Sequence, residues 1–127
     1  MKKYLFDSFT ISILDKSFDG ILSVLFQHKS SEYQFIVFGC YLPPEDSPWG
    51  RDSDAFYGHL LGQIYLHNYV DNYYVCGDLN GRIGSSNDFN PATDNIPVRR
   101  VIDETKNKHG ESLIDFLLEC KMSVVNG

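Results

Sequence analysis

Long apolar runs are missing from this 127-residue chain. None approaches the ~20 residues that a membrane-spanning helix needs, so no membrane partner is expected. The first residues, Met1-Lys2-Lys3-Tyr4-Leu5-Phe6-Asp7, start basic, but Asp7, Ser8 and Thr10 interrupt the apolar stretch. They do not read as a signal peptide. Cysteine is scarce and odd in number: Cys40, Cys76 and Cys120, with no C-x-x-C pair and no Asn-x-Ser/Thr acceptor site. Each lies in an apolar run, where a free thiol behaves as a small buried hydrophobe. An intracellular chain, cytoplasmic or nuclear, is therefore expected. Positive charge is also short, with 11 Lys and Arg against 17 Asp and Glu and a formal charge of −6. That balance excludes a nucleic-acid coat protein, but not an enzyme that meets nucleic acid through a local patch and a divalent cation.

Several chemistries lack their residues. There is no G-x-S-x-G, no phosphate-binding G-x-x-x-x-G-K and no G-x-G-x-x-G. An EF-hand starting at Asp78 fails because Arg82, Ile83 and Phe89 stand where it needs an oxygen ligand, a glycine and an acid. His28, His59, His67 and His109 have no metal-ligand spacing.

What is present is a foldable chain, 43% hydrophobic and 14% aromatic, of single-domain length (residues 1–127). Residues 4–14 predict a strand, with Phe9, Ile11 and Ile13 alternating with Ser8, Thr10 and Ser12. Residues 21–27 predict a second, with Leu22, Val24 and Phe26 on one face, and residues 33–42 a third, apolar on both faces like a central strand. Short turns between them predict an antiparallel meander. Pro43-Pro44 opens a polar loop in which Glu45, Asp46, Asp52 and Asp54 read as a solvated acidic face. A helix follows over 53–69, with Phe56, Leu60 and Ile64 on one stripe and Asp52 or Ser53 as its cap. Residues 73–79 predict a short buried strand, 80–97 a long polar loop, 110–121 a helix and 123–126 the start of a further strand. A strand near Met1 and another stopping at Gly127 lead us to expect a domain truncated at both ends.

The sharpest chemical feature is Cys76-Gly77-Asp78-Leu79-Asn80-Gly81-Arg82-Ile83-Gly84. In extended backbone Asp78 and Asn80 project to the same side. A carboxylate there can orient or deprotonate water, or help hold a cation, and a carboxamide can donate to a phosphoryl oxygen. Gly77 and Gly81 allow close approach of the chain or a ligand. Taken alone, Asp-Leu-Asn-Gly equally makes an ordinary β-turn. The second feature is Tyr41 at the end of a strand, fixed by Pro43 and Pro44. Its hydroxyl can serve a cleft or simply reach water. Arg99-Arg100 can touch phosphate or be solvated.

In order and spacing, Cys40-Tyr41-Leu42-Pro43-Pro44, the amphipathic helix, Gly77-Asp78-Leu79-Asn80-Gly81-Arg82-Ile83-Gly84 and Asn107-Lys108-His109-Gly110-Glu111-Ser112-Leu113 form one pattern. It resembles the endonuclease/exonuclease/phosphatase superfamily, with the nearer likeness to the apurinic/apyrimidinic-type endonuclease domains of LINE retrotransposons. The resemblance covers roughly residues 18–127. It implies an α+β fold, part of a four-layer α/β/β/α sandwich whose mixed, mostly antiparallel sheets are flanked by helices. It implies a DNA-nicking phosphodiesterase that uses Mg²⁺ or Mn²⁺, with DNA as partner and a reverse transcriptase as fusion partner. Asp78 would orient the attacking water and is the candidate for an indirect contact with the metal, Asn80 would hold the scissile phosphate or Asp78, and Tyr41 would donate to the phosphate. Arg82 is a further candidate for the phosphate.

The family's metal-binding Glu and its Asp-His pair have no counterpart in the sequence, so little or no activity is expected of these residues alone. A non-catalytic remnant or binding module with the same core is the alternative. Phosphoesterases of the same superfamily acting on lipids are a second, which Gly-Asp-x-Asn by itself does not separate.

Overall fold

The computed structural model describes residues 3–48, 52–84, 86 and 104–125. Elements follow in the order α1 (Lys3–Ser8), β1 (Phe9–Asp15), β2 (Ile21–His28), β3 (Gln34–Tyr41), α2 (Ser53–Leu66), β4 (Asn72–Asp78) and α3 (Lys108–Cys120). The fold is α+β, with one four-stranded mixed sheet among the described residues, in the order β1-β2-β3-β4. Its first two junctions are antiparallel and the third, β3 with β4, is parallel. The meander read from the sequence is borne out. The parallel third junction follows from α2, since a helix between two strands lets the second run in the direction of the first. No helix among the described residues is long and apolar enough to cross a membrane.

The chain divides into two compact units. The first comprises residues 1–42 and 62–78, the sheet and the last turn of α2. One sheet face is the core: Ile21 and Leu25 from β2 lie in register rows with Cys40 and Ile36 from β3, and Ser23 with Phe38. Leu22, Val24 and Phe26 do share a face, but the better-buried one carries Ile21, Ser23 and Leu25. With apolar residues on both faces, alternation along β2 alone left that choice open, and pairing with β3 decides it. Tyr73 ties β4 to the end of α2 by donating its hydroxyl to the carbonyls of His67 at 2.6 Å and Ile64 at 3.3 Å. The opposite face carries an aromatic row. Phe26 and Phe35 stack at 4.7 Å, Phe9 meets both edge-on, and Tyr74 meets Phe35 at 5.6 Å. Ile13, Leu22 and Tyr74 on this face remain substantially exposed.

Four expectations are corrected. Residues 3–8 are helical, not the start of a strand. Lys29 accounts for this local choice, because its backbone N–H and its ammonium donate to the carbonyls of Ser8 and Phe6, two acceptors that a helix end leaves over. β4 is mostly exposed, not buried, because among the described residues it is outermost in the strand order and has a strand on one flank only. Cys76 is exposed with it, whereas Cys40 is buried and Cys120 half-buried. Residues 123–125 form no strand. Most of the 80–97 loop lies outside the described residues.

The second unit comprises residues 43–61 and 79–127, with the first part of α2 and all of α3. Asp52 caps α2 through Oδ1, which accepts from the Ala55 N–H at 2.9 Å, as its position predicted. The Tyr57 ring packs against Phe116 at 5.4 Å, and the hydroxyls of Ser53 and Ser112 share a hydrogen bond of 3.1 Å. Leu113, Phe116 and Leu117 form the buried stripe of α3. That helix ends at Lys121, whose left-handed backbone (φ 55) returns its N–H to the Leu117 carbonyl.

Two tests follow from this packing. Gly58 and Gly62 sit inside α2 with nothing within 4 Å of an added Cβ. Gly58→Ala and Gly62→Ala should each stabilise the protein by about 0.5–1 kcal/mol in urea unfolding, through helix propensity alone. Burial, with a smaller contribution from neighbouring Cys76, pushes the Cys40 thiol from 9.0 up to about 12. Cys76 should therefore react with a thiol reagent long before Cys40 does in the native protein. The unfolded Cys40 loses its proton first as pH rises, so stability should fall between about pH 9 and 12, and Cys40→Ala should flatten that part of the curve.

Candidate functional site

Tyr41 and Asp78 are register partners at the carboxyl ends of the two parallel strands, β3 and β4. The pairing continues one step further, where the Leu42 N–H donates to the Asp78 carbonyl at 2.9 Å. Both side chains are exposed, Tyr41 to 52%. Their register rows, Phe35 with Asn72, Val37 with Tyr74, Gly39 with Cys76 and Tyr41 with Asp78, belong to the aromatic side of the sheet. An exposed phenol beside an exposed carboxylate, at the carboxyl end of parallel strands, is a position from which open α/β sheets bind ligands.

Gly77 makes this pairing possible. Its φ is +136, and a Cβ there would stand 1.8 Å from the Cys40 carbonyl oxygen. The sequence left open whether the glycines admit a ligand or the chain itself. At Gly77 the space is filled by the backbone of β3, and at Gly81 by the backbone of Gly110 at 3.3 Å.

The same-side projection expected of Asp78 and Asn80 does not extend past Asp78. β4 ends at that residue, and Asn80 has a left-handed backbone with φ 47. Asparagine tolerates this region better than most residues. Asn80 and Arg82 belong to the second unit and are held by Asn107. Asn107 Oδ1 accepts from the Arg82 N–H and from the Gly110 N–H, both at 2.8 Å, and its Nδ2 donates to the Asn80 carbonyl at 2.9 Å. Its backbone N–H donates to the Arg82 carbonyl at 3.0 Å, and an antiparallel bridge joins Ile83 to Lys106 beside it. Gly110 permits this contact, because a Cβ there would stand 2.0 Å from the Arg82 carbonyl oxygen.

The N-terminus of α3 is fully occupied by side chains. Asn107 caps it, and the Glu45 carboxylate accepts from the N–H groups of Lys108 (3.1 Å) and His109 (3.4 Å). Glu45 is thus a helix-end partner and not only part of a solvated acidic face. His109 is 2% exposed, with Nε2 at 3.0 Å from the Pro43 carbonyl and Nδ1 without a hydrogen-bond partner among the described residues. Nε2 therefore carries the proton in the neutral ring and donates it to that carbonyl. Neither contact was readable beforehand. The preference of Asn for a helix N-cap is the signal that could have marked Asn107.

Asp78 offers the oxygen donors that a hard divalent cation takes, but a single carboxylate is a thin set for Mg²⁺. Among the described residues no group of three or more His, Cys, Asp or Glu side chains is placed to hold a metal ion, and the donor set among them does not amount to a metal centre. Arg99 and Arg100 lie outside the described residues. The chain matches no protein-family model, no curated protein and no solved structure.

Substitution at the two tightest glycines gives a direct check. Gly77→Ala and Gly110→Ala should each destabilise by about 3 kcal/mol, since backbone atoms and not movable side chains stand in the way. Equal unfolding midpoints for wild type and variants would remove the close approaches as the constraint.

Proposed function

We propose that this chain supplies the phosphate-handling part of a divalent-metal-dependent phosphodiesterase that nicks DNA, of the kind found in retrotransposons, and that these residues alone turn over little or no substrate. The observation that carries the reading is the register pairing of Tyr41 with Asp78 at the carboxyl ends of β3 and β4. It supports a division of labour. The Tyr41 hydroxyl donates to a non-bridging phosphate oxygen. The Asp78 carboxylate accepts from a water and orients it toward phosphorus. Asn80 and Arg82, on the loop of the second unit, are by themselves a neutral and a positive donor suited to a phosphate.

The second reading is a module that binds a phosphodiester without cleaving it. DNA as substrate and three free cysteines fit a cytoplasmic or nuclear setting, with a reverse transcriptase on the same polypeptide.

Two measurements test this. Supercoiled plasmid incubated with the chain and Mg²⁺ should stay intact, and nicking that disappears in Asp78→Ala would refute the low-activity part. A thymidine dinucleotide titrated into isotope-labelled protein should shift the amide signals of Tyr41, Asp78 and Asn80. Tyr41→Phe should weaken the interaction about tenfold, the worth of one hydrogen bond. Absence of shifts at all three residues would end the phosphodiester reading.

A further inference from the structure

We infer that Asn107 is a positioning residue for Asn80: its carboxamide caps α3 with the oxygen and, with the nitrogen, sets the backbone of the loop that presents Asn80. This rests on the phosphodiester reading of that loop. The inference comes from what a helix cap does not need. Capping requires only an acceptor, and Ser, Thr and Asp supply one as well as Asn does. Asn107 uses Oδ1 for the cap and for the Arg82 N–H, and then uses Nδ2 on the Asn80 carbonyl. The carboxamide carries its acceptor and its donor on separate atoms of one planar group, so Oδ1 faces the Arg82 and Gly110 N–H groups while Nδ2 faces the Asn80 carbonyl.

The surrounding backbone is shaped to receive that group. Gly81 and Gly110 bring the loop and the first turn of α3 close together, and the bonds between Asn107 and Arg82 run in both directions. Asn80 itself stands at φ 47, a conformation that non-glycine residues keep only when their surroundings over-determine it. The hydrogen bond to its carbonyl is one such determinant. A carboxamide that meets phosphate must already point correctly, because misplacement costs as much as loss of the group. Asn107 acts through Asn80 and touches no substrate.

The deciding variant is Asn107→Asp. The carboxylate keeps the acceptor for the Gly110 and Arg82 N–H groups and suits a helix N-terminus. It loses the donor to the Asn80 carbonyl and sets an oxygen against an oxygen. Asn107→Ala removes every contact of the side chain and serves as the structural control. Three readouts are taken on each protein: thermal unfolding, the three-bond amide coupling that reports φ at Asn80, and binding of the thymidine dinucleotide.

We expect Asn107→Asp to unfold near the wild-type temperature and to keep the Arg82 amide protected. The Asn80 coupling should change, and dinucleotide binding should weaken at least about fivefold. Asn107→Ala should lose stability as well. Wild-type coupling and wild-type binding in Asn107→Asp would overturn the inference, and so would altered coupling with unaltered binding. If the wild-type protein does not bind the dinucleotide, the phosphodiester reading fails and the purpose assigned to the clamp fails with it. The coupling in Asn107→Asp then decides separately whether Asn107 sets the Asn80 backbone.

Discussion

At Gly77 the carbonyl oxygen of Cys40 occupies the place of a side chain, and the rest of the candidate site depends on that approach. It lets the last residues of β4 run beside the last residues of β3 instead of splaying away from them. Tyr41 and Asp78 become neighbours for that reason, although 36 intervening residues separate them in the chain. The parallel direction adds its own condition. Two parallel strands end on the same side, so whatever they display they display together. An antiparallel β4 would have set the carboxyl end of one strand against the amino end of the other.

A second close approach organises the loop beyond β4. Gly110 opens the first turn of α3 to the Arg82 carbonyl, and Asn107 fills the junction with polar contacts. The helix end is then complete: Glu45 serves the first two N–H groups and Asn107 the third. A helix whose leading N–H groups are satisfied by its own chain has no spare dipole to offer an anion. In the second unit the leading N–H groups of α3 are therefore taken up by the chain itself.

Much of this was legible beforehand, and the failures have physical causes. The meander, both longer helices and the Asp52 cap followed from alternation, periodicity and turn chemistry. Residues 3–8 misled because their helical state is fixed by Lys29, more than twenty positions away. β2 left its core face open because a serine occupies the buried one, where Ser23 is fully enclosed and its hydroxyl has no hydrogen-bond partner among the described residues. β4 misled because an apolar run does not say whether its strand will be flanked on both sides. In the candidate site, residue types were legible and conformations were not. Asp-Leu-Asn-Gly left a continued strand and a turn both open, and the backbone resolves them with β4 ending at Asp78 and Asn80 left-handed. The roles of Glu45 and His109 depend on contacts more than sixty residues distant in sequence.

The aromatic side of the sheet has one more consequence. Ile13, Leu22 and Tyr74 remain in contact with water there, flanked by outer strands with free hydrogen-bonding edges among the described residues. Such a surface invites stacking of one copy on another. The net charge of −6, first read as a statement about nucleic acid, opposes that stacking by mutual repulsion. Salt shortens the reach of this repulsion. Ionic strength thus becomes a colloidal variable for this protein, with dispersal favoured in dilute buffer and clustering in concentrated brine.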